Sequence, residues 1–274
     1  MEHNPLEHVA DAKQQWTFFD TVDWGSIPLP HIGEHYLTKF MILEVIAAGI
    51  ILWLYTGLAK QIKSGKPPRG PIWNALEAIL TFIRDEVAHP FIGHHDADRF
   101  VPLLWTMFIF ILVCNLLGLF PFMGSPTADI SVTGALALCA FVLIHGSAII
   151  KNGPIGYLKS YIPNLGFEGW MAWATLPLIA MIFVIEVAGN FIKGGVLAIR
   201  LFANMFGGHT VLAVILSFIA MAKYAGFMFY PVTAASVIGV VLLSMLELLV
   251  AFIQAFVFVF LTALFLGGTL HPEH

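Results

Sequence analysis

The sequence predicts an all-α polytopic membrane protein with three upright spanning helices, one interfacial amphipathic helix, and a carboxyl-terminal hairpin of two long tilted helices. Of its 274 residues, 59% are hydrophobic and only 11% are charged, which lies outside the usual range of soluble domains. Five apolar stretches reach the roughly 20 residues that a membrane-spanning helix needs. Two of the five are far longer than one upright crossing requires, and they predict the tilted hairpin.

The balance of charges excludes nucleic acid as a partner. The chain has 13 Lys and Arg residues against 17 Asp and Glu residues, a formal net charge of −4. No basic stripe is present that could follow a phosphate backbone. We therefore expect lipid, rather than water or nucleic acid, to surround most of the chain.

Residues 1–36 are polar and predict an extramembrane arm, and residues 37–270 form the membrane domain. The first span covers about residues 40–59. Four basic residues follow it at once: Lys60, Lys63, Lys66 and Arg69. Basic loops stay in the cytoplasm, so we expect the amino terminus outside and the carboxyl terminus in the cytoplasm.

Residues 71–89 predict a helix that lies on the inner membrane surface, because apolar residues recur on one side and polar residues occupy the other. Three histidines and two aspartates follow in a crowded segment: His89, His94, His95, Asp96 and Asp98. A metal site is conceivable there, but we expect a solvated polar loop and commit to no metal.

Two further spans cover about residues 100–122 and 130–150. Each contains one polar residue within its apolar run, Asn115 in the first and His145 in the second. The simplest interpretation of both is a hydrogen bond between helices.

The hairpin covers about residues 170–221 and 232–266. A helix of about 52 residues would be roughly 78 Å long, against a hydrocarbon core of about 30 Å. Either Pro177 and several glycines break the first stretch into pieces, or a long helix lies strongly tilted.

Polar residues recur along both arms of the hairpin. On the first arm, helical spacing places four of them along one stripe: Glu186, Lys193, Arg200 and Asn204. On the second arm, Glu247 and Gln254 form a matching stripe. His209 is half a turn out of phase with Arg200, and we expect it to meet Glu247 where the helices pack.

This set of residues suits proton movement better than bond making. A histidine has a reference pKa of about 6.5 and exchanges protons near neutrality with a buried carboxylate. Arg200 stays charged, because a guanidinium does not lose its proton in proteins, so it attracts an anion and repels a proton. A purely structural interpretation stays open for the other polar residues. Glu186 and Lys193 can pair with each other, and Asn204 and Gln254 can serve only as packing contacts between helices.

The sequence at residues 198–209 (AIRLFANMFGGH) and 246–266 (LELLVAFIQAFVFVFLTALFL) closely resembles the carboxyl-terminal helices of subunit a of F-type ATP synthases. Residues 115–122 (NLLGLFPF) and 126–130 (PTADI) are similar to the middle helices of that family. The resemblance covers about residues 36–270 and leaves the arm without a match.

The resemblance implies a proton-translocating stator subunit in a bacterial inner membrane. Its expected partners are a ring of small membrane subunits that each carry a mid-membrane carboxylate, a peripheral stalk subunit, and the other ATP synthase subunits. It implies no cofactor and no catalytic site in this chain. Arg200 matches the family's essential arginine, which holds a ring carboxylate ionised and separates two aqueous half-channels.

The remaining site residues follow from the same resemblance. The half-channel open to the outside is implied to contain four of them: Asn204, His209, Glu247 and Gln254. Glu186 matches the acidic residue of the inward half-channel. Many bacterial members have the acid and the histidine exchanged between positions 209 and 247, and this chain follows the mitochondrial arrangement. Gly194 stands where the family often has proline.

Two other functions are conceivable from the residues alone. The alternative is a free-standing proton-coupled secondary transporter that uses the same charges, although the sequence contains no convincing internal repeat of the kind common in transporters. A haem protein would need histidines paired across two spans, and only His145 and His209 lie within spans. The choice between H⁺ and Na⁺, and the size of the ring, stay open.

Overall fold

The computed structural model describes residues 15–17, 26–28, 31–32, 35–36, 38–63, 70–120, 124–161, 171–222 and 226–270. Most of the predicted extramembrane arm and the carboxyl-terminal tail therefore lie outside the described residues. Four short strands in the arm pair as two antiparallel hairpins, β1 (Gln15–Thr17) with β2 (Ser26–Pro28) and β3 (His31–Ile32) with β4 (His35–Tyr36).

Helices make up nearly all of the described membrane domain. They are α1 (Lys39–Lys63), α2 (Pro71–Phe82), α3 (His89–Ile92), α4 (His94–Gly118), α5 (Ile130–Ser160), α6 (Met171–Ala222) and α7 (Phe229–Leu270). A π-helical segment (Ile83–Ala88) joins α2 to α3, and two 3₁₀ turns (Pro126–Ala128 and Gly226–Met228) precede α5 and α7.

Five of these helices, α1, α4, α5, α6 and α7, are long and apolar enough to cross a membrane. The predicted fold class, an all-α polytopic membrane protein, is confirmed. Pro71 begins α2, where its missing N–H costs no helical hydrogen bond. The inclination of each helix in a bilayer stays a prediction.

The long apolar stretch after residue 170 forms one continuous helix. Helix α6 has 52 residues and passes through Pro177 without interruption. At 1.5 Å per residue its length is roughly 78 Å. Of the two alternatives that the sequence left open, the structure therefore has the unbroken helix.

The segment expected to be a polar loop is helical instead. Helix α3 follows the π-helical segment directly, and α4 begins at His94 after a single residue, Gly93, whose φ is +93°. Asp98 pairs with Arg84 at 3.1 Å, and Asp96 pairs with Lys151 at 2.6 Å. Carboxylates near the start of a helix are favoured by the helix dipole, so these polar residues extend α4 beyond its apolar span.

The core of the domain surrounds α4. In the most apolar 18-residue stretch of each helix, 50% of the α4 residues are buried, whereas only 11% of the α6 residues are. Helix α7 closes tightly on α3, because a Cβ atom added at Gly267 would lie 1.8 Å from the carbonyl oxygen of Phe91. Helix α6 is therefore the most open long helix, and much of its apolar surface faces away from the bundle.

Helix α5 bends sharply near its end. Gly153 has φ +72° and ψ 159°, and Pro154 follows it. Glycine adopts this backbone conformation without the steric cost that other residues incur. The bend turns the last part of α5 back towards the bundle.

Candidate functional site

Arg200 lies on the open side of α6. Its side chain is exposed, whereas Leu197, Ala198 and Leu201 in the same turns are buried against the bundle. Within the described part of the chain no acidic side chain forms an ion pair with Arg200. The guanidinium thus stands among exposed apolar residues such as Ile199, which is 58% exposed.

Glu247 is buried where α7 packs against α6, and it is 8% exposed. A Cβ atom added at Gly208 would lie 2.2 Å from Oε1 of Glu247. The helices approach this closely because residue 208 has no side chain. Gly208, the residue before His209, is therefore the one that lies directly against the carboxylate.

His209 extends towards α4. A Cβ atom added at Gly118 would lie 2.9 Å from Nε2 of His209 and 2.5 Å from Cβ of Ser125. Both Nε2 of His209 and Oε2 of Glu247 are buried, and neither has a hydrogen-bond partner among the described residues. Buried polar atoms are nearly always hydrogen-bonded to protein or water, so this end of the hairpin contains two groups able to bind a proton or a water molecule.

A buried polar network lies beside these two groups. Asn115 donates from Nδ2 to the carbonyl oxygen of Ala251 at 3.3 Å, and Oδ1 of Asn115 accepts from Thr127 at 2.6 Å. The Ser125 hydroxyl lies 3.1 Å from the carbonyl oxygen of Cys114 and 2.6 Å from the Thr127 hydroxyl, and it can donate its hydrogen to either. The predicted interhelical hydrogen bond of Asn115 is present, and it ties α4 to α7 and to the turn that precedes α5.

Asn204 and Gln254 are both half-buried. Asn204 lies one turn after Arg200 on α6. Gln254 lies on α7 between Ala251 and Ala255, which are fully buried. Neither amide makes a side-chain hydrogen bond among the residues that the structure describes, so both remain able to contact a partner or water.

Glu186 lies at the opposite end of the site, at the rim of a cavity of about 300 Å³ between α5, α6 and α7. Polar side chains on the wall include His145, Asn190 and Lys193. The ammonium of Lys193 donates to Oδ1 of Asn190 at 3.3 Å and lies 5.3 Å from the centre of the Phe265 ring. No ion pair joins Glu186 to Lys193 in the described structure.

The bend in α5 brings two tyrosines into this cavity. The Tyr157 hydroxyl lies 2.6 Å from Nδ1 of His145 and is hydrogen-bonded to the Tyr161 hydroxyl. Asn190 donates from Nδ2 to the Tyr161 hydroxyl at 3.0 Å. Burial raises the pKa of Tyr161 above its usual range, so this hydroxyl keeps its proton at neutral pH.

A comparison with protein families identifies the chain. The family model described as ATP synthase A chain matches residues 41–267, which is most of the sequence. The chain belongs to this family. The match covers α4 to α6 completely and most of α1 and α7, so it contains every residue of the site described above.

Known relatives agree with this assignment. ATP synthase subunit a of Chloroherpeton thalassium is 37% identical over 278 residues, covering 98% of this chain and 77% of the relative. The subunit a of Myxococcus xanthus is 36% identical, covering 89% of this chain and 76% of the relative. That of Chlorobium phaeobacteroides strain BS1 is 38% identical, covering 98% and 76%. The chain is an integral membrane protein of the ATP synthase A chain family.

Sequence reasoning missed part of this family member's polar site. Tyr157, Tyr161 and Asn190 carry no motif, and their importance depends on the bend at Gly153. The signal available in the sequence was the Gly153-Pro154 pair, which is a common breaker of helices. Ser125 was missed for a similar reason, because a turn places it next to His209.

Proposed function

We propose that this chain is the proton-translocating stator subunit of a rotary F-type ATP synthase, in which Arg200 faces a rotating ring of small membrane subunits. The observation that carries the proposal is the exposed Arg200 on the open face of α6, which forms no ion pair with any acid among the described residues. A charge at mid-membrane costs at least about 3 kcal/mol. A carboxylate on another subunit, close to Arg200, offsets this cost, and the ring supplies one at each step.

The outward half-channel is formed by His209 and Glu247, with Asn204 and Gln254 nearer to the ring. One buried atom on His209 and one on Glu247 lack a hydrogen-bond partner within the described ranges. They support this assignment, because they offer a proton two successive binding positions. The half-buried amides of Asn204 and Gln254 support it as well, since each can hold water at the entrance to the ring.

The inward half-channel begins at Glu186. It precedes Arg200 by 14 residues on α6, roughly 21 Å along the helix, whereas His209 follows Arg200 by nine residues, roughly 14 Å. The two polar regions are thus separated along one helix with the arginine between them. The cavity of about 300 Å³ beside Glu186 has room for several water molecules, each of which takes about 30 Å³ in the liquid.

The arrangement couples proton flow to rotation. A proton that enters from outside neutralises a ring carboxylate, which can then leave Arg200 and turn through lipid. After nearly a full turn it releases its proton into the inward half-channel, and the ionised carboxylate returns to Arg200. Each proton that crosses 100 mV contributes about 2.3 kcal/mol, and the ring sums several crossings. Phosphate chemistry takes place on other subunits, and this chain has no catalytic site of its own.

The same proposal fixes the location of the chain. It lies in the bacterial inner membrane with its amino terminus outside and its carboxyl terminus in the cytoplasm, since basic residues follow α1. Its partners are the ring, a peripheral stalk subunit and the remaining ATP synthase subunits. Helix α6 is largely unburied by its own chain, which is consistent with a large partner surface.

The test is Arg200→Ala in the complete complex reconstituted into liposomes. Proton-driven ATP synthesis should fall to background, because the ring carboxylate loses its counter-charge and the half-channels join. ATP hydrolysis by the detached head should be unchanged. Arg99→Ala is the matched control, since it removes an exposed arginine from the predicted membrane edge and should leave synthesis within about twofold of the wild type.

Retained coupled synthesis by the Arg200→Ala complex would refute the proposal. The purified chain alone should not transport protons, because it lacks the ring. Substrate-dependent transport by the isolated chain in liposomes would favour the free-standing transporter instead.

A further inference from the structure

We propose that His145 is a second proton acceptor of the inward half-channel, loaded through the hydroxyls of Tyr161 and Tyr157. This inference rests on the proposed function and adds three residues to it. Its basis is a continuous line of hydrogen bonds along the wall of the cavity that Glu186 borders.

Lys193 fixes the orientation of the Asn190 amide at the start of this line. An ammonium can only donate, so the Asn190 oxygen faces Lys193 and the Asn190 amide nitrogen faces Tyr161. The Tyr161 hydroxyl accepts from Nδ2 of Asn190, so its own hydrogen can be donated to Tyr157. When the imidazole proton is on Nε2, the Tyr157 hydrogen is donated to Nδ1 of His145 at 2.6 Å. In the proposed loading state every donor therefore points towards the imidazole.

This polarity makes His145 the end of the line. In the proposed loading state Nδ1 accepts a hydrogen bond and the neutral imidazole carries its proton on Nε2. The line exists because of the bend in α5: residues 145 and 157 would be roughly 18 Å apart along a straight helix. Such a fold-back needs Gly153 at φ +72°, where a residue with a Cβ atom would be strained.

Proton transfer along the line balances without a co-reactant. A proton from cavity water binds to the Tyr161 oxygen while the original Tyr161 hydrogen moves to Tyr157. The original Tyr157 hydrogen moves to Nδ1 of His145, which becomes an imidazolium, and both tyrosines end neutral. His145 then releases one proton to water, and tautomer exchange with rotation of both hydroxyls restores the starting line.

Within the part of the chain that the structure describes, few other charged groups lie around His145. Helix α6 contributes Glu186 and Lys193 to the same cavity, and the bent part of α5 contributes Tyr157, with Tyr161 just after it. The α7 residues on the wall are Leu264, Phe265, Gly268 and Thr269, none of which titrates. The Glu186 carboxylate and the His145 imidazole are therefore the two side chains on the cavity wall that combine an acceptor atom with the capacity to bind a proton.

The experiment measures proton-driven ATP synthesis by the complete complex in liposomes with its cytoplasmic face outward. Outer pH is varied at constant proton-motive force. Tyr157→Phe removes one hydroxyl and retains a ring in contact with His145 and Tyr161. His145→Gln retains an acceptor for the Tyr157 hydroxyl but cannot take up a proton. Tyr230→Phe, 75% exposed on α7, is the control.

At an outer pH of about 8, above the histidine reference pKa, both variants should synthesise ATP about tenfold more slowly than the wild type and the control. The difference should narrow as the outer pH falls, because a protonated His145 cannot accept a further proton in the wild type. A merely structural role predicts that His145→Gln behaves as the wild type at every pH.

Two results would overturn the inference: equal rates at about pH 8, or a deficit that does not narrow as the pH falls. Arg200→Ala is assayed in parallel to separate the two proposals. If it abolishes synthesis while Tyr157→Phe and His145→Gln are normal, only the acceptor role of His145 is refuted. If Arg200→Ala retains synthesis, the stator function itself is refuted.

Discussion

Substituting Gly208 with alanine should impair proton translocation, whereas the same change at Gly207 should not. The added Cβ at residue 208 would lie 2.2 Å from Oε1 of Glu247, with Cδ at 3.1 Å and Cγ at 3.3 Å. An ordinary van der Waals separation is about 3.5 Å, so the carboxylate must move by roughly 1.3 Å. At Gly207 a Cβ would meet nothing within 4 Å.

The size of the effect follows from this displacement. A misplacement of about 1 Å in a reacting group can cost roughly 100-fold in rate. The end of the Glu247 side chain is flexible and can absorb part of the shift, so we expect Gly208→Ala to slow proton-driven ATP synthesis between about tenfold and 100-fold. Both alanines favour the helix over glycine by about 1 kcal/mol, so this contribution cancels between the two variants.

The assay is the rate of proton-driven ATP synthesis by reconstituted complexes, normalised to the amount of assembled complex. Glu247→Asp shortens the side chain by one carbon, so the double variant Gly208→Ala with Glu247→Asp should be faster than Gly208→Ala alone. The reasoning fails if Gly207→Ala and Gly208→Ala give the same rate, or if the shortened acid brings no recovery.

Two further substitutions test the packing of the domain. Gly267→Ala places a Cβ 1.8 Å from the backbone oxygen of Phe91, which cannot rotate away. The complex should therefore lose about 1–3 kcal/mol of stability, measured by thermal denaturation. The control is Gly268→Ala, which should not change stability because a Cβ at residue 268 would meet nothing within 4 Å. Asn115→Leu removes the hydrogen bonds to Ala251 and Thr127 and should cost about 1–3 kcal/mol, seen as a lower temperature of subunit loss in detergent.

The fold class could be predicted because hydrophobic length is a strong signal. Every lipid-facing backbone group must be hydrogen-bonded within its own helix, so apolar runs such as that of α6 leave no alternative to a helix. Arg200 stood out because a permanent charge within such an apolar run is costly. The sequence places no acid within one helical turn that could neutralise it, so a purely structural role has little support. The exposure of Arg200 on α6, away from any acid in the described structure, agrees with that reasoning.

Contacts between side chains were less predictable, because they depend on helix rotation and backbone breaks. Helical phase led us to expect His209 opposite Glu247, whereas Gly208 lies there and His209 reaches Gly118. One residue changes the direction of a helix side chain by about 100°. The contact between His145 and Tyr157 depends on the backbone angles of Gly153.

The residues at positions 94–98 were expected to form a loop, but they begin helix α4. The prediction was wrong because polar residues occur both in loops and at helix ends, and polarity alone does not distinguish the two.

The close packing at Gly208 also bears on the position of Arg200. Both lie on one continuous helix, eight residues or roughly 12 Å apart. Because α6 is held against α7 at Glu247 and is otherwise largely unburied by its own chain, this contact limits sliding and rotation of the arginine relative to Glu247. In the proposed function, a ring carboxylate must come within about 4 Å of the guanidinium for strong attraction. Under that proposal, the absence of a side chain at residue 208 helps to set the distance between Arg200 and the ring.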